Sequence, residues 1–404
     1  MKQIFFLLLV CILAASAFAV DYGAVLSGNF LTEDLGNASP TDERTSSVVG
    51  LFSPWFSVPL GNADLFVSAG IQTDYTNYRE DKIIYIPELY RFEFSGIFND
   101  IHFRAGRIHW QDTSHIVAKG NFDGVDMLLD TGKIRHGASV LYTGFLYYDT
   151  ANINISPTDN KDYSVHFDPD NFSETYFAPR RLLVTFYGEF PGLPFQRGTL
   201  FAGLMFQLDL ADSEEHFHTQ YFLARYMINY QQFDFSASGA VQLENNDEYG
   251  VRFAYAASLE WGWRLPSSFN DRLSLGMKWA SGDGPHTTPF FPVVYEELGA
   301  VLKTHLSGIM RLTLKYEARL LPVLSAEVRT HYFFRTDSIT FSDPDIAKDA
   351  YTLGAEAGGA LLFVPLSDLS FSLSGGVFLP KTGAAMHDDA PNRWSLSMGT
   401  ILSF

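Results

Sequence analysis

Residues 233–244 read FDFSASGAVQLE, and residues 249–261 read YGVRFAYAASLEW. In the first run Phe233, Phe235, Ala237, Gly239, Val241 and Leu243 alternate with Asp234, Ser236, Ser238, Ala240, Gln242 and Glu244. In the second, Tyr249, Val251, Phe253, Tyr255, Ala257, Leu259 and Trp261 alternate with Gly250, Arg252, Ala254, Ala256, Ser258 and Glu260. A period of two puts each apolar set on one face of a strand and each polar set on the other. Residues 309–320 (IMRLTLKYEARL) repeat the pattern. Ordinary strands run to roughly 5–6 residues. These runs instead match the roughly 9–11 residues of a tilted strand that crosses a bilayer.

The same reading along the chain predicts strands over 20–30, 47–58, 63–75, 83–94, 100–109, 123–130, 134–147, 176–190, 199–210, 219–230, 233–244, 248–261, 271–281, 308–320, 323–336, 350–363, 369–379 and 392–404. Short connections alternate with long polar ones, such as 31–46, 110–121, 149–175, 282–307, 337–349 and 380–391. Outer-membrane barrels have short periplasmic turns and long outer loops. That alternation tests the count. Reading 298–306 as a strand gives 19 and puts the polar stretch 337–349 on the periplasmic side. Leaving 298–306 in an outer loop restores an even number. The expectation is therefore an all-β fold, a transmembrane antiparallel up-and-down barrel of 18 strands, with 16 as the alternative.

The ends fit that expectation. Lys2, the apolar run 4–15 and Ala17-Phe18-Ala19 have the pattern of a signal peptide over 1–19, cleaved near Ala19, with one barrel domain over 20–404. The single cysteine, Cys11, falls inside that leader, so residues 20–404 offer no disulfide and no thiolate ligand. At the other end Trp394, Leu396, Met398, Thr400, Leu402 and Phe404 share one face. A terminal Phe on such a strand predicts recognition by the barrel-insertion machinery. The predicted location is the cell outer membrane, in contact with its lipid. A formal net charge of −18 excludes nucleic acid as the partner.

A lipid-facing charge costs roughly 2–4 kcal/mol near the bilayer midplane. Basic residues on the polar strand faces are therefore expected to line the lumen: Arg104, Arg181, Arg225, Arg252, Arg272, Lys278, Arg311, Lys315, Arg319, Arg329 and Arg335. Many acidic residues fall instead in the outer loops. An arginine-rich lumen predicts a channel for small anionic or sugar-like solutes. The rival for the same arginines is a structural lacing to carboxylates and carbonyls. Something must also narrow a lumen of this width. The apolar residues Phe290, Phe291, Val293 and Val294 make the loop 282–307 the candidate.

Two segments carry a family likeness. Phe103-Arg104-Ala105-Gly106-Arg107, followed by Asn121-Phe122-Asp123-Gly124-Val125, resembles the "GR…FDG" pattern of alginate-export-type outer-membrane porins. Ser281-Gly282-Asp283, followed by Phe290-Phe291-Pro292, resembles their "SGD…F-P" segment. The resemblance implies an 18-stranded barrel that exports anionic polysaccharide, or passes small solutes, through an arginine-rich lumen.

Other classes find less support. Asp212 with His216 and His218, and Asp283 with His286, could act as acid–base pairs. No Ser, His and Asn arrangement accompanies them, so no catalytic residue is expected. His216-x-His218 offers only two metal ligands, so neither a metal nor another cofactor is expected. The rival from a different class is an adhesin or surface receptor whose loop 149–175 binds a partner.

Overall fold

The structure is a computed structural model that describes residues 20–38, 44–77, 83–159, 161–163, 165–212, 216–246 and 250–404. The expected leader lies outside the described residues. The strands are β1 Asp21–Asp34, β2 Thr45–Leu60, β3 Ala63–Thr76, β4 Ile83–Phe98, β5 Ile101–Gln111, β6 Lys119–Asp130, β7 Arg135–Tyr142, β8 Arg181–Pro191 and β9 Gly198–Asp209. They continue with β10 Thr219–Tyr230, β11 Phe233–Asn246, β12 Gly250–Arg264, β13 Arg272–Ala280, β14 Ile309–Leu321, β15 Leu324–Arg335, β16 Thr352–Leu366, β17 Leu369–Leu379 and β18 Arg393–Ser403. Each pairs antiparallel with its chain neighbours, and β1 pairs with β18, so one sheet of 18 strands closes on itself. The count is the one the alternation of loop lengths favoured.

Closure uses the last residue. The Ala24 N–H donates to the Phe404 carbonyl at 2.7 Å, and the Phe404 N–H donates back to the Ala24 carbonyl at 3.0 Å. No sheet edge is left open there, as a membrane barrel requires. The outer face is apolar. On β12, Val251, Phe253, Tyr255 and Leu259 are exposed while Ala254 and Ala256 are buried inside. The same exposed set continues on β14, β17 and β18 through Leu312, Leu314, Phe371, Leu373, Leu396 and Met398. Large exposed apolar residues around a closed sheet define a membrane-facing belt.

One rim holds short turns, such as 61–62, 99–100 and 231–232, where Gly61, Asn99 and Gln231 take the left-handed conformation that two-residue hairpins favour. The other rim holds the long connections. Residues 298–306 form no strand. Leu298, Val301, Leu302 and Leu306 are strand-like in pattern because they pack into the core inside the barrel.

The lumen and its constriction

The strand register shows where the lumen is narrowed. Pairing of β4 with β5 stops at Phe92↔Arg107, yet β4 continues outward to Ile83. Pairing of β6 with β7 stops at Asp123↔Tyr142. Between them β5 and β6 stay paired up to Gln111↔Lys119. The hairpin 107–123 therefore leaves both neighbours and bends into the barrel. Its Ile108, Trp110, Val117 and Phe122 pack on Leu141, Leu183, Met205 and Tyr221 of the wall. His109, Gln111 and Lys119 border open space.

The "GR…FDG" residues build the hinge of this hairpin. Arg107 donates from Nε and a terminal nitrogen to the two carboxylate oxygens of Asp123, at 2.8 and 2.7 Å. Its remaining donors reach the carbonyls of Leu89 at 2.7 Å and Phe145 at 3.0 Å. The guanidinium thus satisfies a backbone edge that the departing hairpin exposes. Gly106 sits at the bend with φ +105°, and a Cβ there would strike the Phe92 carbonyl. A Cβ on its partner Gly124 would strike the Val140 carbonyl. Inside the hairpin the buried Asp112 carboxylate accepts the N–H groups of Ser114, Val117 and Ala118. Burial nevertheless pushes its carboxyl up.

Two more loops interlock with the hairpin. In 281–308, Phe290 and Val293 are buried, the Tyr221 hydroxyl donates to the Phe291 carbonyl at 2.6 Å, and the Gln242 side chain accepts the Phe291 N–H at 2.8 Å. The Val294 N–H reaches the Val117 carbonyl of the hairpin at 3.1 Å. The Tyr295 N–H reaches Asn152 of the loop 143–180 at 3.0 Å. The inward fold of 282–307 expected from its apolar content is therefore present. The loop 143–180 fills the gap beside β4 with the cluster Tyr147, Phe167 and Tyr176 against Ile86.

The "SGD" residues root the loop 281–308. Ser281 donates to the Thr288 carbonyl, Asp283 receives Arg252 at 2.9 Å, and the Asp283 N–H donates to Asp337 at 3.1 Å.

Two open spaces remain. One of about 1040 Å³ reaches from the short-turn rim and touches Asp64, Glu93, His102, Arg104 and Asp126. The other, of about 890 Å³, lies among the loops and touches Lys119, Asp149, Lys278 and Glu296. Gln111, His115 and Arg225 line both, and so mark the passage between them. His115, at the hairpin tip, lies with both ring nitrogens 2.7 Å from an Arg225 terminal nitrogen. Burial, and after it the Arg225 and Lys119 charges, push the His115 ring down to about 4. Arg225 also meets Ser236 at 3.2 Å and has no carboxylate within ion-pair distance among the described residues.

The eleven predicted basic residues divide into three groups. Arg104, Arg225, Lys278, Arg311, Lys315 and Arg329 line the two spaces or a side recess of about 440 Å³ between β12 and β15. Arg104 pairs with Asp126 at 2.7 Å, Lys278 with Glu296 at 2.7 Å, Lys315 with Glu317 at 3.0 Å and Arg329 with Glu327 at 3.2 Å. Arg311 donates to the Leu298 carbonyl. Arg272 and Arg319 stand near the short-turn rim. There Arg272 meets Asp234 at 2.6 Å and Glu260 at 2.9 Å, and Arg319 meets the Pro322 carbonyl at 2.6 Å. The third group anchors loops.

Arg181 and Arg335 in that group do not line open lumen, which corrects the sequence expectation. Arg181 is 0% exposed between Asp159 and Asp209. Arg335 is spent on the carbonyls of Lys348 and Ala350, each at 3.1 Å. Arg252 holds Asp283. Loops folded inward reach all three wall cations: they bring Asp159 to Arg181 and Asp283 to Arg252, and backbone carbonyls to Arg335. Glu296 is a further case, where burial opposes its charge but Lys278 outweighs it and holds the carboxyl low. The expectation that the acids stay outside the lumen fails for these residues.

The remaining candidates are also placed. His218 accepts the Asp209 N–H at 3.0 Å, and its ring stacks on His216. No cluster of three metal-ligating side chains occurs among the described residues.

This geometry defines a porin fold: an 18-stranded membrane barrel, narrowed from within by its own loops. No protein-family model matches the chain, and no curated protein matches it. Solved structures do. Pseudomonas aeruginosa OccK2 (OpdF) aligns with TM-score 0.60 at 13% identity, over 95% of this chain and 98% of that one. Its complex with glucuronate aligns with TM-score 0.60 at 12% identity, over 95% and 98%. Pseudomonas aeruginosa OpdQ aligns with TM-score 0.60 at 10% identity, over 96% and 97%. The shared property is the 18-stranded porin fold; these neighbours do not single out the alginate-export type.

Proposed function

We propose that the protein is an outer-membrane channel for small polar solutes, with a preference for anionic, sugar-acid-like ones. Arg225 carries the reading. It stands in the passage common to both lumenal spaces, touched by a neutral imidazole and a hydroxyl, and among the described residues no carboxylate contacts it. Lys119 lines the outer space nearby. A fixed guanidinium in a narrow passage attracts anions and offers a planar fork for a carboxylate. Hydroxyl and amide groups of Ser236, Ser238 and Gln111 suit sugar hydroxyls. Glucuronate, the ligand of one OccK2 structure, has this chemistry. Interlocked loops favour small solutes over a polysaccharide chain. The loop 143–180 is held internally by Arg181, Glu88 and Pro87, which weighs against a free adhesive arm.

The test is solute flux into liposomes. Glucuronate should enter faster than glucose of similar size, and Arg225→Gln should remove the difference. Equal entry by the wild-type channel contradicts the proposal.

A further inference from the structure

A second recess lies on the outside of the barrel, at the long-loop rim. Its position follows from alternation. Arg181 points inward and is fully buried, so Arg180 before it points outward. Tyr142 pairs with Leu182, which pairs with Leu208, and these side chains share the lipid face. Arg180, Tyr142, Lys161 and Tyr163 surround the recess, which measures about 510 Å³. Below it an apolar strip runs down the barrel through Val140, Phe186, Leu204 and Leu208, with Val140 49% and Phe186 54% exposed.

We propose that this recess holds the phosphorylated saccharide headgroup of an outer-leaflet glycolipid whose acyl chains lie along the strip. Arg180 reaches Asp212 at 2.5 Å, and Asp212 is 91% exposed. Such an exposed pair is weak and exchanges readily for a phosphate. The Lys161 ammonium donates to the Phe177 carbonyl at 2.7 Å and lies 5.1 Å from the Tyr163 ring centre, with donors left for an anion. The two tyrosines offer ring faces to a sugar, and Glu174 offers acceptors to its hydroxyls. The occupant is an amphiphile because a polar recess that holds Arg180 and Lys161 beside carboxylates, directly above exposed aliphatic and aromatic side chains, matches a head joined to a tail. A soluble saccharide would leave the strip unused.

The experiment uses the full barrel in detergent, titrated with an acylated, diphosphorylated glucosamine disaccharide, with the same lipid lacking phosphates, and with the deacylated disaccharide. Wild-type protein should bind the first best. Lys161→Gln with Arg180→Gln should weaken that binding by roughly tenfold or more, from the loss of two charge-assisted contacts. Heat-modifiable migration and reversal potential should stay unchanged, which shows that the variant is folded and separates this site from the lumen. Equal binding by variant and wild type overturns the proposal, as does indifference to the phosphates. Equal binding of the deacylated sugar overturns the assignment to a lipid.

Discussion

Replacing Asp123 with Ala tests the hinge that carries the constriction. Arg107 is 5% exposed and keeps its bonds to the Leu89 and Phe145 carbonyls, but it loses both bonds to Asp123. Charge-assisted bonds contribute about 1.5–3 kcal/mol each, and a buried charge stripped of its partner costs about 3–5 kcal/mol. The two retained carbonyls soften the loss, which sets the penalty near 3 kcal/mol. That shifts the balance between seated and released hairpin by roughly a hundredfold. The barrel itself keeps its full ladder, so heat-modifiable migration should be preserved. Single-channel recordings should show larger open-channel noise and excursions to higher conductance, because the hairpin 107–123 occupies the lumen. Arg107→Leu with Asp123→Leu should be quieter than Asp123→Ala, since no charge is left buried alone. Asp123→Ala recordings that match wild type in noise and conductance would refute the hinge.

Three further outcomes follow from the same structure. Deleting 284–296 removes the segment that buries Phe290 and Val293, and mean conductance should rise; an unchanged value contradicts an inward fold. Arg181→Leu strands the buried Asp159 and Asp209 carboxylates, so limited proteolysis should cut within 143–180 at a rate at least tenfold above wild type; equal resistance contradicts the anchor. His115 titrates near 4 in the folded channel against about 6.5 when free, so the seated hairpin loses stability as pH falls from about 6.5 to about 4. Channel noise should grow over that window in wild type and stay flat in His115→Gln.

Much of this was legible in the residues themselves. Alternation such as Phe233 to Leu243 or Met310 to Leu320 marks a strand whatever surrounds it, and loop lengths set the parity of the count. Alternation does not reveal whether a strand remains in the wall. Ile108 and Trp110 still alternate with polar residues, one residue out of phase with Ile101, Phe103 and Ala105, after the pairing with β4 has ended. The motif at 103–107 and 121–125 was visible, yet its physical role required the register. Arg181 shows the other limit. An arginine on a polar face reads the same beside water as beside a buried carboxylate, and its partner Asp159 comes from a distant loop. The lipid-side role of Arg180 was hidden for the same reason: one residue of phase separates the two faces.

Arg225 touches no carboxylate among the described residues, with Glu260 and Asp112 acting on it only from farther off, and on this account it makes the lumen favour anions despite a net charge of −18. Reversal potential across a bilayer in a salt gradient measures this directly. Wild-type channels should give the sign of anion preference, and Arg225→Gln should move the potential toward zero or beyond, with the barrel intact. A wild-type channel that prefers cations, or one whose potential is unmoved by Arg225→Gln, would contradict the account.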